Sequence, residues 1–228
     1  MALARTDMTL PNPSAKRKVA KPIVRKFYNR DPRIVARELL GKLLIREEQG
    51  LRLAGRIVET EAYLGTEDAA AHSAAGKTAR NFILFGPPGF AYVYFIYGVH
   101  YCFNVSCLPE GEAGGVLIRA LEPIEGLEAL AQNREIELSA SPRLLELRGL
   151  TSGPGRLAEA LGITRERDNG KDVTKRASDL WIGDDGYLAE AIVDGPRIGI
   201  TKATEHALRF LIAGNPYVSG KRPASLGR

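Results

Sequence analysis

Tyr92-Val-Tyr-Phe-Ile-Tyr-Gly-Val-His-Tyr-Cys-Phe-Asn104 reads as two strands folded back on one another. Aromatic and β-branched residues fill both arms, and the turn between them is built around Tyr97-Gly98-Val99-His100. Alternation puts Tyr92 and Tyr94 on one face and Val93 and Phe95 on the other. The pattern predicts strands over Ala91–Ile96 and Tyr101–Ser106. Working outward, further strands are expected at Leu43–Arg46, Leu53–Tyr63, Val116–Leu121, Leu180–Ile182, Arg197–Ile200 and Arg209–Ile212. A helix begins where Asp31 can cap it and Pro32 suits its first turn, and it ends at Gly41. Helices are also expected from Pro123 to about Glu137, over Pro142–Leu147, and over Arg156–Leu161 after the Gly153-Pro154-Gly155 turn. A loop rich in Ala, Gly and charge runs from Gly65 to about Pro88. Most strands follow one another directly. This predicts an α+β single domain: a mixed or antiparallel sheet with surrounding helices and a protruding β-hairpin.

The 228 residues are 44% apolar and 26% charged, enough for a core without staples. The net charge of +5 is unevenly placed. Residues 1–27 hold Arg5, Lys16, Arg17, Lys18, Lys21, Arg25 and Lys26 against Asp7 alone, while the remaining chain is close to neutral. Residues 1–21 are read as a disordered basic arm, 22–219 as the folded domain and 220–228 as a loose tail. Two cysteines build no disulfide framework, and the cysteine and histidine spacing fits no zinc site, so no metal is expected. The longest apolar stretch, Phe90 to Val105, is interrupted and too short to cross a bilayer, so no membrane is involved. No secretory signal is visible. The expected place is the cytoplasm or nucleoid of a bacterium, or the nucleus of a eukaryote.

Gly76-Lys77-Thr78 resembles the end of a phosphate loop, but the required first glycine would fall at Ala71 and no strand precedes it. Ser152-Gly-Pro-Gly155 opens a helix and fits either a phosphate-facing turn or a plain helix start. Two other places stand out. Along Ile57-Val-Glu-Thr-Glu-Ala-Tyr63, strand alternation points Glu59, Glu61 and Tyr63 the same way. Two carboxylates and a phenol on one face suit acid–base chemistry. A solvated edge strand would look the same. His72 follows nine residues after Tyr63 and either folds back toward them or lies on the surface. At the hairpin tip, Tyr97 and Val99 replace the usual Asn, Asp and Gly. They suit a wedge inserted between stacked bases, or a tip folded onto its own core.

These stretches resemble the alkyladenine (3-methyladenine) DNA glycosylases of the mammalian type. The resemblance rests on Gly55-Arg-Ile-Val-Glu-Thr-Glu-Ala-Tyr-Leu-Gly65, Asp68 to Ser73, Tyr92 to Gly98, Cys102 to Asn104, Leu117-Ile-Arg-Ala-Leu-Glu-Pro123, Ser152-Gly-Pro and Arg209 to Pro216. It runs in one order over about residues 28–218. It implies a DNA repair enzyme of base excision that flips damaged purines out of duplex DNA from the minor groove and hydrolyses the N-glycosidic bond. The class includes 3-methyladenine, 7-methylguanine, hypoxanthine and ethenoadenine.

By the same resemblance Glu61 is the general base, and Arg119 helps hold the attacking water. Tyr63, His72 and Tyr94 form the base pocket, and Asn104 is the wall that rejects the amine of guanine. Tyr97 fills the vacated stack, and the backbone at Ile198 helps position water. Val99 and His100 depart from the mammalian pattern, which bears on the shape of the wedge. No cofactor is implied, and no lysine is placed as a Schiff-base nucleophile. Base removal without strand cleavage, by a monomer, is therefore expected. Two rivals share these features: a binding module that makes no use of Glu61, and a hydrolase of free nucleosides that has no use for Tyr97 or the basic arm.

Overall fold

The computed structural model describes residues 19–96 and 98–220. Most of the basic arm, Tyr97, and all of the tail but Gly220 therefore lie outside the described residues. The described strands are β1 (Lys21–Pro22), β2 (Leu43–Glu48), β3 (Leu51–Tyr63), β4 (Ala91–Ile96), β5 (His100–Ser106), β6 (Gly115–Glu125), β7 (Leu180–Asp184), β8 (Ile192–Gly195) and β9 (Arg209–Ile212). The helices are α1 (Arg25–Tyr28), α2 (Pro32–Leu39), α3 (Leu127–Asn133), α4 (Leu144–Thr151), α5 (Pro154–Ala160) and α6 (Arg165–Asp168). All strands join one curled antiparallel sheet in the order β1-β7-β2-β3-β6-β5-β4, so the fold is α+β as the sequence implied. β3 is the axis of the molecule. Its first half pairs with β2, Glu59–Glu61 pair with β9, and β6 runs along its other edge. β8 extends the sheet beyond β9.

Local chemistry explains these elements. Gln49 and Gly50 both take left-handed φ, 50° and 82°, which closes the β2–β3 hairpin with a twist that suits its strands. The Asp31 carboxylate accepts from the Arg33 amide at 2.8 Å and caps α2. Val35, Ala36 and Leu39 of α2 are fully buried, and Thr60 Oγ1 of β3 donates to the Ala36 carbonyl at 2.9 Å. α4 and α5 pack on β5 and β6, and their Leu150 and Leu157 join the same continuous core. No helix among the described residues is long and apolar enough to cross a membrane.

Several sequence expectations are corrected. Arg197–Ile200 is not a strand, and the late strand is β8, at Ile192–Gly195. Pro196 has no amide to donate to a ladder. Beyond it the chain turns toward the side chains of Glu61 and Asp68. α3 stops at Asn133 and not near Glu137, because Glu135 takes a left-handed φ of 52°. α4 runs over Leu144–Thr151, displaced from Pro142–Leu147, with the Glu146 side chain accepting from the Arg143 amide at its start. β6 extends to Glu125 and tolerates Pro123 beside a register irregularity opposite Gly55. Ala20 is buried and Lys21 pairs with Asp184, so the fold takes up the end of the stretch read as an arm. Arg25, counted with the basic arm, is bound to Asp172 at 2.7 Å.

Candidate active site

The C-terminal half of β3 has two unlike faces. Val58, Thr60 and Ala62 are buried on one side, with Thr60 tied to α2. Glu59, Glu61 and Tyr63 share the other side, as alternation requires, and both glutamates are fully buried. The alternative of a solvated edge face does not hold. Buried carboxylates need partners, and Arg119 of β6 supplies one to each: its Nε lies 3.1 Å from Glu59 Oε1 and its Nη1 lies 3.2 Å from Glu61 Oε1. Burial works against the Arg119 charge, but the two carboxylates outweigh it and raise the guanidinium pKa.

Glu61 is held by two hydrogen bonds and an ion pair. Oε1 accepts from the Ile198 amide at 2.8 Å and is ion-paired with Arg119 Nη1 at 3.2 Å, and Oε2 accepts from the Tyr63 hydroxyl at 2.9 Å. Two carboxylate oxygens offer about four lone-pair sites. Among the described residues Oε2 takes a single hydrogen bond, which leaves it a site for a further partner. The resemblance singled out the Ile198 backbone for positioning water, and in the structure its N–H is engaged with the carboxylate. Tyr63 stays a neutral donor, since burial and then the Glu61 charge push its phenol far above the ordinary value.

Tyr63, Arg119 and Ile198 line a cavity of about 590 Å³, so Glu61 sits directly behind its wall. That volume lies within the range of small-molecule sites. His72, Tyr92, Tyr94 and Asn104 line the same cavity. The His72 ring meets Tyr94 edge-on at 4.3 Å between centroids, and its Nδ1 lies 3.0 Å from the Tyr92 hydroxyl. Partial burial, and then repulsion from Arg80, lower the His72 pKa and favour the neutral imidazole, although the residue remains exposed to solvent. Burial raises the Tyr94 phenol strongly. Asn104 is buried, and its Nδ2 donates to the Tyr92 carbonyl at 3.1 Å, which fixes the amide. The structure thus brings together Glu61, Arg119, Tyr63, His72, Tyr94, Asn104 and Ile198. Tyr97 lies outside the described residues, but its neighbour Ile96 lines the cavity, and Gly98 and Val99 are exposed.

The sequence placed Glu59 on this face, but its partners and the role of Arg197 escaped sequence reasoning. Glu59 accepts from Arg209 Nε at 2.6 Å, the Ser219 amide at 2.6 Å and Ser219 Oγ at 3.0 Å. Arg197, fully buried, grips Asp68 through two nitrogens at 2.5 and 2.9 Å. Ser152 ties the chain to Tyr217 through its hydroxyl, and Gly153, Pro154 and Gly155 of the turn it opens line the cavity. Gly65 ends the strand's continuation with φ of 91°, where a Cβ would overlap the Ala113 carbonyl oxygen.

A profile of the methylpurine-DNA glycosylase (MPG) family matches residues 26–216. A protein of Koribacter versatilis (strain Ellin345) is 65% identical over 201 residues, spanning 88% of this chain and 94% of its own. A protein of Desulfitobacterium hafniense (strain Y51) is 47% identical over 205 residues, spanning 88% of this chain and 100% of its own. One of Clostridium acetobutylicum is 45% identical over 201 residues, spanning 86% and 97%. All three carry the provisional name 3-methyladenine DNA glycosylase. With a match over most of its length and relatives this similar, the chain belongs to the methylpurine-DNA glycosylase family.

Proposed function

We propose that this DNA glycosylase, a hydrolase of N-glycosyl bonds, acts on alkylated and deaminated purines that it extrudes from duplex DNA. A base inside a duplex cannot be reached, and flipping it out costs a few kcal/mol. The cavity supplies what an extruded purine needs: aromatic walls at Tyr63, Tyr94 and His72, and a fixed amide at Asn104. An alkylated purine is electron-poor and often cationic, and aromatic faces favour such rings. Tyr97, entering from the minor groove, takes the place left in the stack, where stacking contributes roughly 1–3 kcal/mol.

The observation that carries this reading is the buried Glu61 carboxylate behind the cavity wall, held by two hydrogen bonds and the Arg119 ion pair, with an acceptor site left on Oε2. Water bound there gives its proton to Oε2 as its oxygen bonds C1′ of the sugar. The C1′–N bond breaks, and its electron pair goes to the purine. A cationic alkylated base is neutralised by that pair and needs no acid to leave. Uncharged bases such as hypoxanthine leave less readily. The enzyme acts as a monomer and leaves an abasic site with the strand intact.

The test uses duplex DNA carrying one hypoxanthine or methylated purine, with and without alkali after incubation. The wild-type protein yields cleavage at the lesion only after alkali. E61Q binds the duplex but excises roughly 100-fold more slowly or worse, 100-fold being the lower end of a general-base contribution. Near wild-type excision by E61Q overturns the assignment. Cleavage without alkali overturns the hydrolytic, strand-sparing mode.

A further inference from the structure

Three separate segments meet behind the cavity: the end of β3, the loop from Leu64 to Ser73 that carries His72, and the segment after Pro196 that carries Ile198. One buried ion pair joins all three. Arg197 Nη1 and Nη2 hold the two oxygens of Asp68, and Nη1 also donates to the Ala62 carbonyl at 3.1 Å. Asp68 in turn accepts from the Leu64 amide at 3.1 Å and the Ala70 amide at 3.0 Å. The Arg197 guanidinium also lies over the Tyr63 ring, 4.7 Å from its centroid.

The consequence is specific to Glu61. Tyr63, against which Arg197 packs, donates to Oε2. Ile198, the next residue in the chain, donates its amide to Oε1. A single side chain therefore fixes a donor to each oxygen of the carboxylate without touching it. A surface pair would contribute little of this kind, but this one has no exposure on the Arg197 side and 1% on the Asp68 side.

We propose that Arg197 and Asp68 are the positioning residues of the Glu61 carboxylate, acting on it through the Ile198 amide and the Tyr63 hydroxyl. This rests on Glu61 being the general base, and the experiment separates the two claims. Single-turnover excision is measured for D68N and R197K, each alone and combined with E61Q, together with the Kd for duplex holding an abasic-site analogue. D68N or R197K alone slows excision on the order of 10²-fold, the scale of a misplaced catalytic group, and changes the analogue Kd by less than about threefold. On the E61Q background the same substitution slows the residual reaction by less than about threefold, because its route to the chemistry is already gone. An equal loss on both backgrounds, or no loss on the wild-type background, overturns the positioning role. If E61Q itself excises normally, it is the general-base assignment that fails. R197K keeps the buried charge and serves as the deciding variant if D68N does not fold.

Discussion

Replacing Glu59 by glutamine exposes how the site is held. Glu59 is fully buried, and Oε1 takes Arg119 Nε, Arg209 Nε and Ser219 Oγ while Oε2 takes the Ser219 amide. A glutamine has one oxygen and one NH₂ group. If its oxygen replaces Oε1, its amide hydrogens face the Ser219 N–H. In the other orientation they face two guanidinium groups. Either way a donor meets a donor. The substitution also changes a buried cluster of two carboxylates, Glu59 and Glu61, and two guanidiniums, Arg119 and Arg209, from neutral to net positive. Breaking a buried charge pair costs about 3–5 kcal/mol, and the retained oxygen places E59Q near the lower figure. For a chain of this size about 3 kcal/mol lowers Tm by roughly 6–12 °C. Urea unfolding with an unchanged m-value, alongside calorimetry, measures it. E122Q is the control, since half-buried Glu122 accepts from Asn215 Nδ2 at 3.2 Å outside the Glu59 cluster and should change Tm little. A Tm for E59Q within about 2 °C of wild type refutes the reasoning that this carboxylate neutralises the buried cluster.

S219A removes only the hydroxyl donor to Glu59 and should cost about 1.5 kcal/mol by urea unfolding, about half the E59Q effect; a cost as large as that of E59Q would contradict the division drawn here. G65A places a Cβ against the Ala113 carbonyl at a left-handed φ, and a loss of about 3 kcal/mol is expected by the same measurement; wild-type stability would show that the turn yields freely. His72 should titrate below the ordinary histidine value in an NMR pH series, and a midpoint at or above it would remove the argument for a neutral ring. Because the folded-state pKa is the lower one, the unfolded chain binds more protons between the two values, so stability rises with pH across that interval and is lost as pH falls. H72Q should flatten that slope.

The legible parts of the fold are those set by neighbours in sequence. Asp31-Pro32 announces a helix start, and the alternating aromatics of Ala91–Ile96 announce a hairpin arm; both hold. Alternation also placed Glu59, Glu61 and Tyr63 on one face. What alternation does not carry is who meets them. Glu59 finds its partners 60, 150 and 160 residues away. Arg197 and Asp68 are 129 residues apart, and their pairing is what keeps Arg197–Ile200 out of a strand despite its apolar content. The recognised residues of the cavity were legible because they fall in ordered motifs. The charges that support them fall at positions where a lone Arg or Asp reads as ordinary surface.

Ser219 has a bearing on the order in which the protein is made. The chain emerges from its N-terminus, and domains settle as they are synthesised. Both donors that Ser219 offers to Glu59 come 160 residues after that glutamate, and the carbonyl it offers to Arg209 comes ten residues after that arginine. A nascent chain can therefore assemble most of its strands long before the acidic heart of the molecule receives its final hydrogen bonds. The cluster that flanks Glu61 is therefore complete only once the chain has reached Ser219.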